Sequence, residues 1–236
     1  FALVRQTPVL ALLVGVPGLA AMVEQERALA IALLLPAGIL AGLGIWSRRL
    51  SSGDDLRRIE AVATLALIFV LSAVLAVPAF MVLGLNPLDA FFEATSGITT
   101  TGLSVAAEAE SWPISAHLLR AWMQWCGGVV MAVAGVALLM DSARAARALG
   151  REAVGGGDYL ASTRAKARIV LTGYGAITVV ALLLSVPLFP GWWEGPMIAL
   201  AAVSTGGFTP RDTSLADYSL AAQVFTLALC VATSIS

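Results

Sequence analysis

The chain has 236 residues, of which 59% are hydrophobic and 12% charged, where a soluble domain carries roughly 25% charged residues. That balance excludes a soluble globular protein and points to an all-α polytopic membrane protein; the net charge of -1 carries no weight alone, because in a membrane the position of each charge matters. Cys126 and Cys230 lie in apolar stretches without CxxC or Cys/His spacing, so they read as small buried hydrophobes, not as a disulfide framework or a metal site.

Pro8 to Val23 is an apolar run interrupted by Gly15 and Pro17 and is predicted as a membrane helix. The polar turn Glu24-Gln25-Glu26-Arg27 leads to a second span, Ala28 to Trp46, with Trp46 as an interfacial anchor. Ser47 to Glu60 sets Arg48, Arg49, Arg57 and Arg58 against Asp54, Asp55 and Glu60, the mark of a loop or surface helix lying on the membrane. Ala61 to Leu83 is the strongest span; 23 residues at about 1.5 Å each cover a hydrocarbon core of roughly 30 Å. Pro78 is expected to kink or end it.

After the turn Gly84-Leu85-Asn86-Pro87, Leu88 to Ile98 is too short to cross, yet Phe91, Phe92 and Thr95 follow a helical pattern, with Asp89 in the first turn. It runs into Thr99-Thr100-Thr101-Gly102-Leu103-Ser104. Irregular backbone at membrane depth has unpaired amides and carbonyls, and it persists only where protein buries it or it lines a water-filled path. The stretch is therefore predicted as a re-entrant segment and the first candidate for a pore. Glu108, Glu110 and Pro113 mark a return to water, and His117 to Met140 is the next span. Gly127-Gly128 at its middle allows close helix packing or a bend.

Asp141 to Arg168 is polar and basic and reads as an inner loop, and Gly155-Gly156-Gly157 within it is predicted as a flexible joint. These glycines neither follow a strand nor precede Lys-Ser/Thr, so they do not form a phosphate-binding loop. Ile169 to Leu188 spans again, with Pro187 near its end. The short segment Pro196 to Val203 runs into Ser204-Thr205-Gly206-Gly207-Phe208-Thr209-Pro210, and a further span begins at Tyr218. Because the chain starts at Phe1 and stops at Ser236 inside an apolar run, it reads as part of a longer polypeptide; no signal peptide is recognised.

The order span, short half-helix, Thr/Gly loop, span thus occurs twice. Val77-Pro78-Ala79-Phe80 and Val186-Pro187-Leu188-Phe189 precede the two loops, with Gly102 24 positions after Pro78 and Gly207 20 after Pro187. The predicted layout is two N-terminal transmembrane helices (1–50), a first pore unit (51–145) and a second, incomplete pore unit (146–236). Charge agrees with this layout. If both loops enter from outside, Phe1 to Gln6, Ser47 to Glu60 and Asp141 to Arg168 are cytoplasmic, and they hold 11 of the 14 Lys and Arg residues, as the positive-inside rule requires. The outer segments carry Asp89, Glu93, Glu108, Glu110, Glu194, Asp212 and Asp217 against Arg120 and Arg211. These are either solvated loop charges or an acidic mouth that concentrates cations.

Dehydrating a monovalent cation requires oxygens fixed by the backbone, which rows of main-chain carbonyls supply in cation filters. Glycine reaches the backbone angles that aim successive carbonyls inward. Threonine and serine add hydroxyls without a charge, so the ion can leave. The candidate potassium-binding residues are Thr100, Thr101, Gly102 and Leu103 in the first loop and Thr205, Gly206, Gly207 and Phe208 in the second. No catalytic residue, cofactor or other metal site is indicated. The single histidine, His117, lies at a predicted membrane edge without a Gly-x-Ser-x-Gly elbow, which argues against an intramembrane hydrolase. Gly127, Gly128, Gly173 and Gly175 offer small-residue packing, and Trp192-Trp193 is predicted as an interfacial anchor.

Asp89-Ala90-Phe91-Phe92-Glu93-Ala94-Thr95-Ser96-Gly97-Ile98-Thr99-Thr100-Thr101-Gly102-Leu103-Ser104 resembles the first pore loop of the TrkH/TrkG/KtrB potassium-uptake proteins, the bacterial branch of the Trk/Ktr/HKT superfamily. Arg120-Ala121-Trp122-Met123-Gln124-Trp125-Cys126-Gly127-Gly128 resembles the start of the inner helix that follows it, and Ser204-Thr205-Gly206-Gly207-Phe208 resembles the second loop. The resemblance runs from about Gly53 onward, with the first two spans matching the extra helices of TrkH-type members. It implies potassium uptake across the bacterial cytoplasmic membrane through four covalently joined units around one pore, with one filter glycine from each.

Gly102 and Gly207 match those glycines, and Thr100, Thr101, Thr205 and Gly206 the positions before them. In the plant branch a serine in place of the first glycine goes with sodium, so Gly102 favours potassium. The resemblance further implies a homodimer in the lipid bilayer with a cytosolic nucleotide-binding regulatory ring of the TrkA/KtrA kind, no nucleic-acid partner, and a cytoplasmic N-terminus. The family's third-unit gate loop and the cation of its last inner helix have no counterpart here, so half of the pore is missing. The alternative is a truncated, non-conducting fragment or a structural or regulatory subunit that pairs with other pore units.

Overall fold

Prolines and polar turns divide the chain into helices whose lengths decide what each one can do. A computed structural model describes residues 6–47, 58–148 and 157–235. Among the described residues it has eight α-helices and no strand: α1 (Thr7–Val23), α2 (Arg27–Ser47), α3 (Arg58–Val82), α4 (Pro87–Ile98), α5 (Ile114–Ala148), α6 (Gly157–Ser185), α7 (Glu194–Val203) and α8 (Leu220–Ile235). Three stretches among the described residues are long and apolar enough to cross a membrane: Arg27–Trp46, Val62–Val82 and Ala165–Leu188. Only 17% of the last is buried, so most of an apolar helix faces outward, where lipid is the compatible solvent. The molecule is an all-α, multi-pass membrane protein. α1, with 17 residues, is at the short end of the roughly 17–25 that a crossing takes.

Several expectations change. Pro78 does not end α3, which runs on to Val82; a membrane helix tolerates an internal proline when neighbours satisfy the freed carbonyl. The chain reverses instead at Gly84, with φ +98°, a conformation glycine adopts without steric cost. Asp141 to Arg168 is not a loop in its described parts. α5 extends to Ala148 and α6 starts at Gly157, because alanine and arginine are strong helix formers whatever their polarity. With 35 residues, α5 measures about 52 Å, well beyond the hydrocarbon core. The predicted joint falls at Gly155 and Gly156, outside the described residues, while Gly157 opens α6. Of the predicted surface segment Ser47 to Glu60, residues 48–57 lie outside the described residues, and Arg58 to Glu60 form the first turn of α3. The two Val-Pro-x-Phe marks also differ in structure: Pro78 sits within a helix, whereas Val186–Leu188 is a 3-10 turn.

α5 is the organising helix, in contact with α1, α4, α6 and α7. One apolar core joins α1 to α5 through Leu13, Leu33, Phe80, Ile98, Leu119 and Met123. A second cluster, Ala121, Met197 and Leu200, ties α5 to α7. Both short helices are thus held against one long one. Gly127 makes the closest approach: a Cβ there would lie 1.9 Å from the Ile98 carbonyl oxygen, at the end of α4. Gly128 meets the Tyr174 hydroxyl and Ser204 in the same way, at 2.5 and 2.7 Å. Gly173 and Gly175 do not pack closely, since nothing lies within 4 Å of a Cβ built at either.

Candidate functional site

α4 begins where Asn86 caps it, its Oδ1 accepting from the Leu88 and Asp89 amides at 3.0 Å each, with Pro87 in the first turn. It ends in a reversal. The Thr100 amide donates to the Gly97 carbonyl and the Thr101 amide to the Ser96 carbonyl, at 3.1 and 3.0 Å, with Thr100 left-handed at φ +58°. This pair of bonds is a Schellman cap, in which the left-handed residue is usually glycine.

α7 ends identically. The Thr205 amide donates to Ala202 and the Gly206 amide to Ala201, at 2.9 and 2.8 Å, with Thr205 at φ +55°. Every residue of the second cap lies 105 positions after its counterpart in the first. A β-branched residue with positive φ is a steric outlier that costs on the order of 1–3 kcal/mol and clusters at functional sites. The same outlier occurs at both helix ends.

The two turns meet. A Cβ on Gly102, whose φ is +75°, would lie 2.3 Å from the Gly207 nitrogen and 2.5 Å from its Cα. Any side chain there would strike backbone. Thr100, Thr101, Gly102, Thr205, Gly206 and Gly207 therefore share one locality, with Thr101, Thr205 and Gly207 exposed. Leu103 and Phe208 are arranged differently. The Ser96 hydroxyl donates to the Leu103 carbonyl at 2.5 Å. The Phe208 ring is buried, and its amide donates to Gln124 Oε1 at 3.3 Å. A Cβ on Gly206 would lie 2.5 Å from the Gln124 amide group, so a side chain there would displace that amide.

Beside the turns, a cleft of about 830 Å³ runs between α5 and α6. Thr99, Thr100, Ser204 and Thr205 line it together with Gly128, Gly135, Gly173 and Tyr174. Gly173 thus faces a cavity, not a neighbouring helix.

Behind the turns lies a buried polar cluster that sequence reasoning missed. Glu93 is fully buried, so it belongs to neither a solvated loop nor an acidic mouth. Its Oε1 is 3.0 Å from the Nε of buried Arg120. Ser104 and the Val105 amide donate to the same carboxylate. His117 is also buried and packs against Trp193, with ring centroids 5.1 Å apart and the planes tilted by 31°, while Trp192 stays exposed. Nearby, Arg211 pairs with Glu194 at 3.4 Å, and the Glu110 amide donates to Asp212 Oδ1 at 3.2 Å, linking the segments that follow the two turns. The signals that could have found the buried pair were a carboxylate midway along a short apolar helix and a lone arginine within a predicted span. Among the described residues no group of three or more His, Cys, Asp or Glu side chains could hold a metal ion.

Helices long and apolar enough to cross a membrane, with the turns after two short helices in contact, define an α-helical membrane protein. Residues 58–236 match the TrkH family, described as cation transport protein, and the chain belongs to that family. It is 31% identical over 144 residues to the Trk system potassium uptake protein TrkH of Halomonas elongata, covering 58% of this chain and 30% of the relative. Against TrkI of the same organism it is 28% identical over 221 residues, 89% of this chain and 44% of the relative. Against TrkH of Escherichia coli K12 it is 31% identical over 134 residues, 54% and 27% respectively. The chain thus spans less than half the length of these curated relatives. Membership in a cation-transport family agrees with the expectation that the chain is not an enzyme.

Proposed function

We propose that this chain supplies two of the four units of a potassium-uptake pore in a bacterial cytoplasmic membrane, and that Thr100 to Leu103 and Thr205 to Phe208 form half of its selectivity filter. The observation that carries this reading is the repetition of one strained turn: a left-handed threonine at the end of each half-helix, two residues before a glycine, with both glycines in backbone contact. Glycine at Thr100 and Thr205 would cost less strain, so retaining threonine calls for a use of its hydroxyl. A row of carbonyls and uncharged hydroxyls is the ligand set that replaces potassium's water. The curated relatives are potassium-uptake proteins by name.

On this reading, residues 1–50 are an N-terminal helical pair, 51–145 the first helix, re-entrant loop and helix unit, and 146–236 the second. The cleft beside Thr100 and Thr205 serves as the inner vestibule, with the threonine and serine residues at its head as its polar part. The remaining two units come from further pore segments, of the same polypeptide or another. Homodimerisation and a cytosolic nucleotide-binding regulatory ring of the TrkA/KtrA kind complete the assembly, with the basic ends of α5 and α6 as its inner contacts. The complete transporter is expected to restore growth at low potassium to cells that lack their own uptake systems, whereas reconstituted residues 1–236 alone carry no selective flux. Absence of growth would contradict the transport reading. Selective flux through residues 1–236 would contradict the four-unit count and mean that copies of this chain close a filter by themselves.

The orientation has its own test. Since basic residues favour the cytoplasmic side, a Ser142→Cys variant made without Cys126 and Cys230 is expected to resist an impermeant maleimide in sealed cells and to react once they are opened. Equal labelling in both conditions would reverse the topology.

A further inference from the structure

The two turns are held from behind by side chains of opposite charge, and those side chains are bound to each other. The Glu93 carboxylate accepts from the Ser104 hydroxyl at 3.0 and 3.1 Å and from the Val105 amide at 3.1 Å, so it fastens the exit of the first turn. Arg120 reaches the second. Its Nη1 donates to the Thr209 carbonyl at 3.1 Å, and its guanidinium lies 4.1 Å from the centre of the Phe208 ring.

Counterpart positions explain the division of labour. Ser104 and Val105 present donors, which need an acceptor. The residues 105 positions later are Thr209 and Pro210, and proline has no amide hydrogen to satisfy. The second turn instead presents the Thr209 carbonyl, which needs a donor. Glu93 is 0% and Arg120 4% exposed, and charges at that depth are costly unless paired and hydrogen-bonded. The pair meets its own cost by satisfying Ser104, Val105 and Thr209, groups that an apolar pair would leave without partners.

We propose that Glu93 and Arg120 act as one positioning unit that sets the separation of Gly102 and Gly207, and hence how strictly the paired turns discriminate among monovalent cations. This rests on reading the turns as a potassium filter. Neither side chain touches the ion; both act through the backbone they hold.

The test is a double-mutant comparison in the complete transporter, reading the ratio of potassium to sodium uptake, which is independent of how much protein reaches the membrane. Glu93→Gln and Arg120→Gln are each expected to lower that ratio by about tenfold or more. The double variant is expected to lose no more than the worse single one, because two groups in one unit are not additive. Should either single variant fail to accumulate, Arg120→Lys decides. It keeps the charge but lacks the planar fork that joins Glu93 to Thr209, and it is expected to accumulate with a reduced ratio. Ratios unchanged in folded variants, or losses that multiply in the double, would overturn the proposal. A wild-type transporter without preference for potassium would instead overturn the filter reading itself.

Discussion

Replacing Gly127 by leucine is expected to destabilise the protein by more than about 4 kcal/mol, beyond the range of ordinary substitutions, and to abolish its transport. Overpacking a side-chain environment costs about 1–3 kcal/mol because neighbouring side chains can move aside. Here the neighbour is backbone: the Ile98 carbonyl oxygen, 1.9 Å from any Cβ at position 127. Ile98 is the last residue of α4, and the first turn begins immediately after it. Relieving the clash would push the half-helix away from α5 and take Thr100 to Gly102 out of contact with Gly207. Melting followed by size-exclusion chromatography in detergent measures the loss. Gly135→Ala is the matched control on the same helix, since nothing lies within 4 Å of its Cβ, and it is expected to melt at or slightly above the wild-type temperature. A Gly127→Leu protein that melts with the wild type would mean that α4 does not seat on α5 as described.

How much of this was legible in the sequence depends on the kind of interaction. The short helices α4 and α7 were legible because each is an apolar segment too short to cross, ended by Thr and Gly. The closeness of Gly127 to the end of α4 was legible only as a capacity for packing, and the same inference failed for Gly173, which lines a cleft. Composition misled at Asp141 to Arg168, where charge suggested a loop and helix propensity prevailed. It misled again at Glu93 and Arg120. Their charges suggested a wetted outer surface, yet 27 positions apart in the sequence they close a buried pair. No periodicity announces a contact of that kind; only the fold of α4 onto α5 brings the two residues together.

The central claim is that the paired turns discriminate between potassium and sodium, and Gly102 is where it is most exposed to test. With φ at +75° and the Gly207 backbone 2.3 Å from its Cβ position, Gly102 has no room for a side chain. A serine there must force the turns apart and misalign their carbonyls. Because selectivity depends on the number and placement of those oxygens, the displacement that relieves this contact weakens the preference for potassium. The decisive measurement is the ratio of potassium to sodium uptake by the complete transporter carrying Gly102→Ser, beside the wild type in the same membranes. The account predicts a ratio that falls by about tenfold or more, equivalent to about 1.4 kcal/mol of lost discrimination. A wild-type ratio in a variant that transports at normal rates would contradict it.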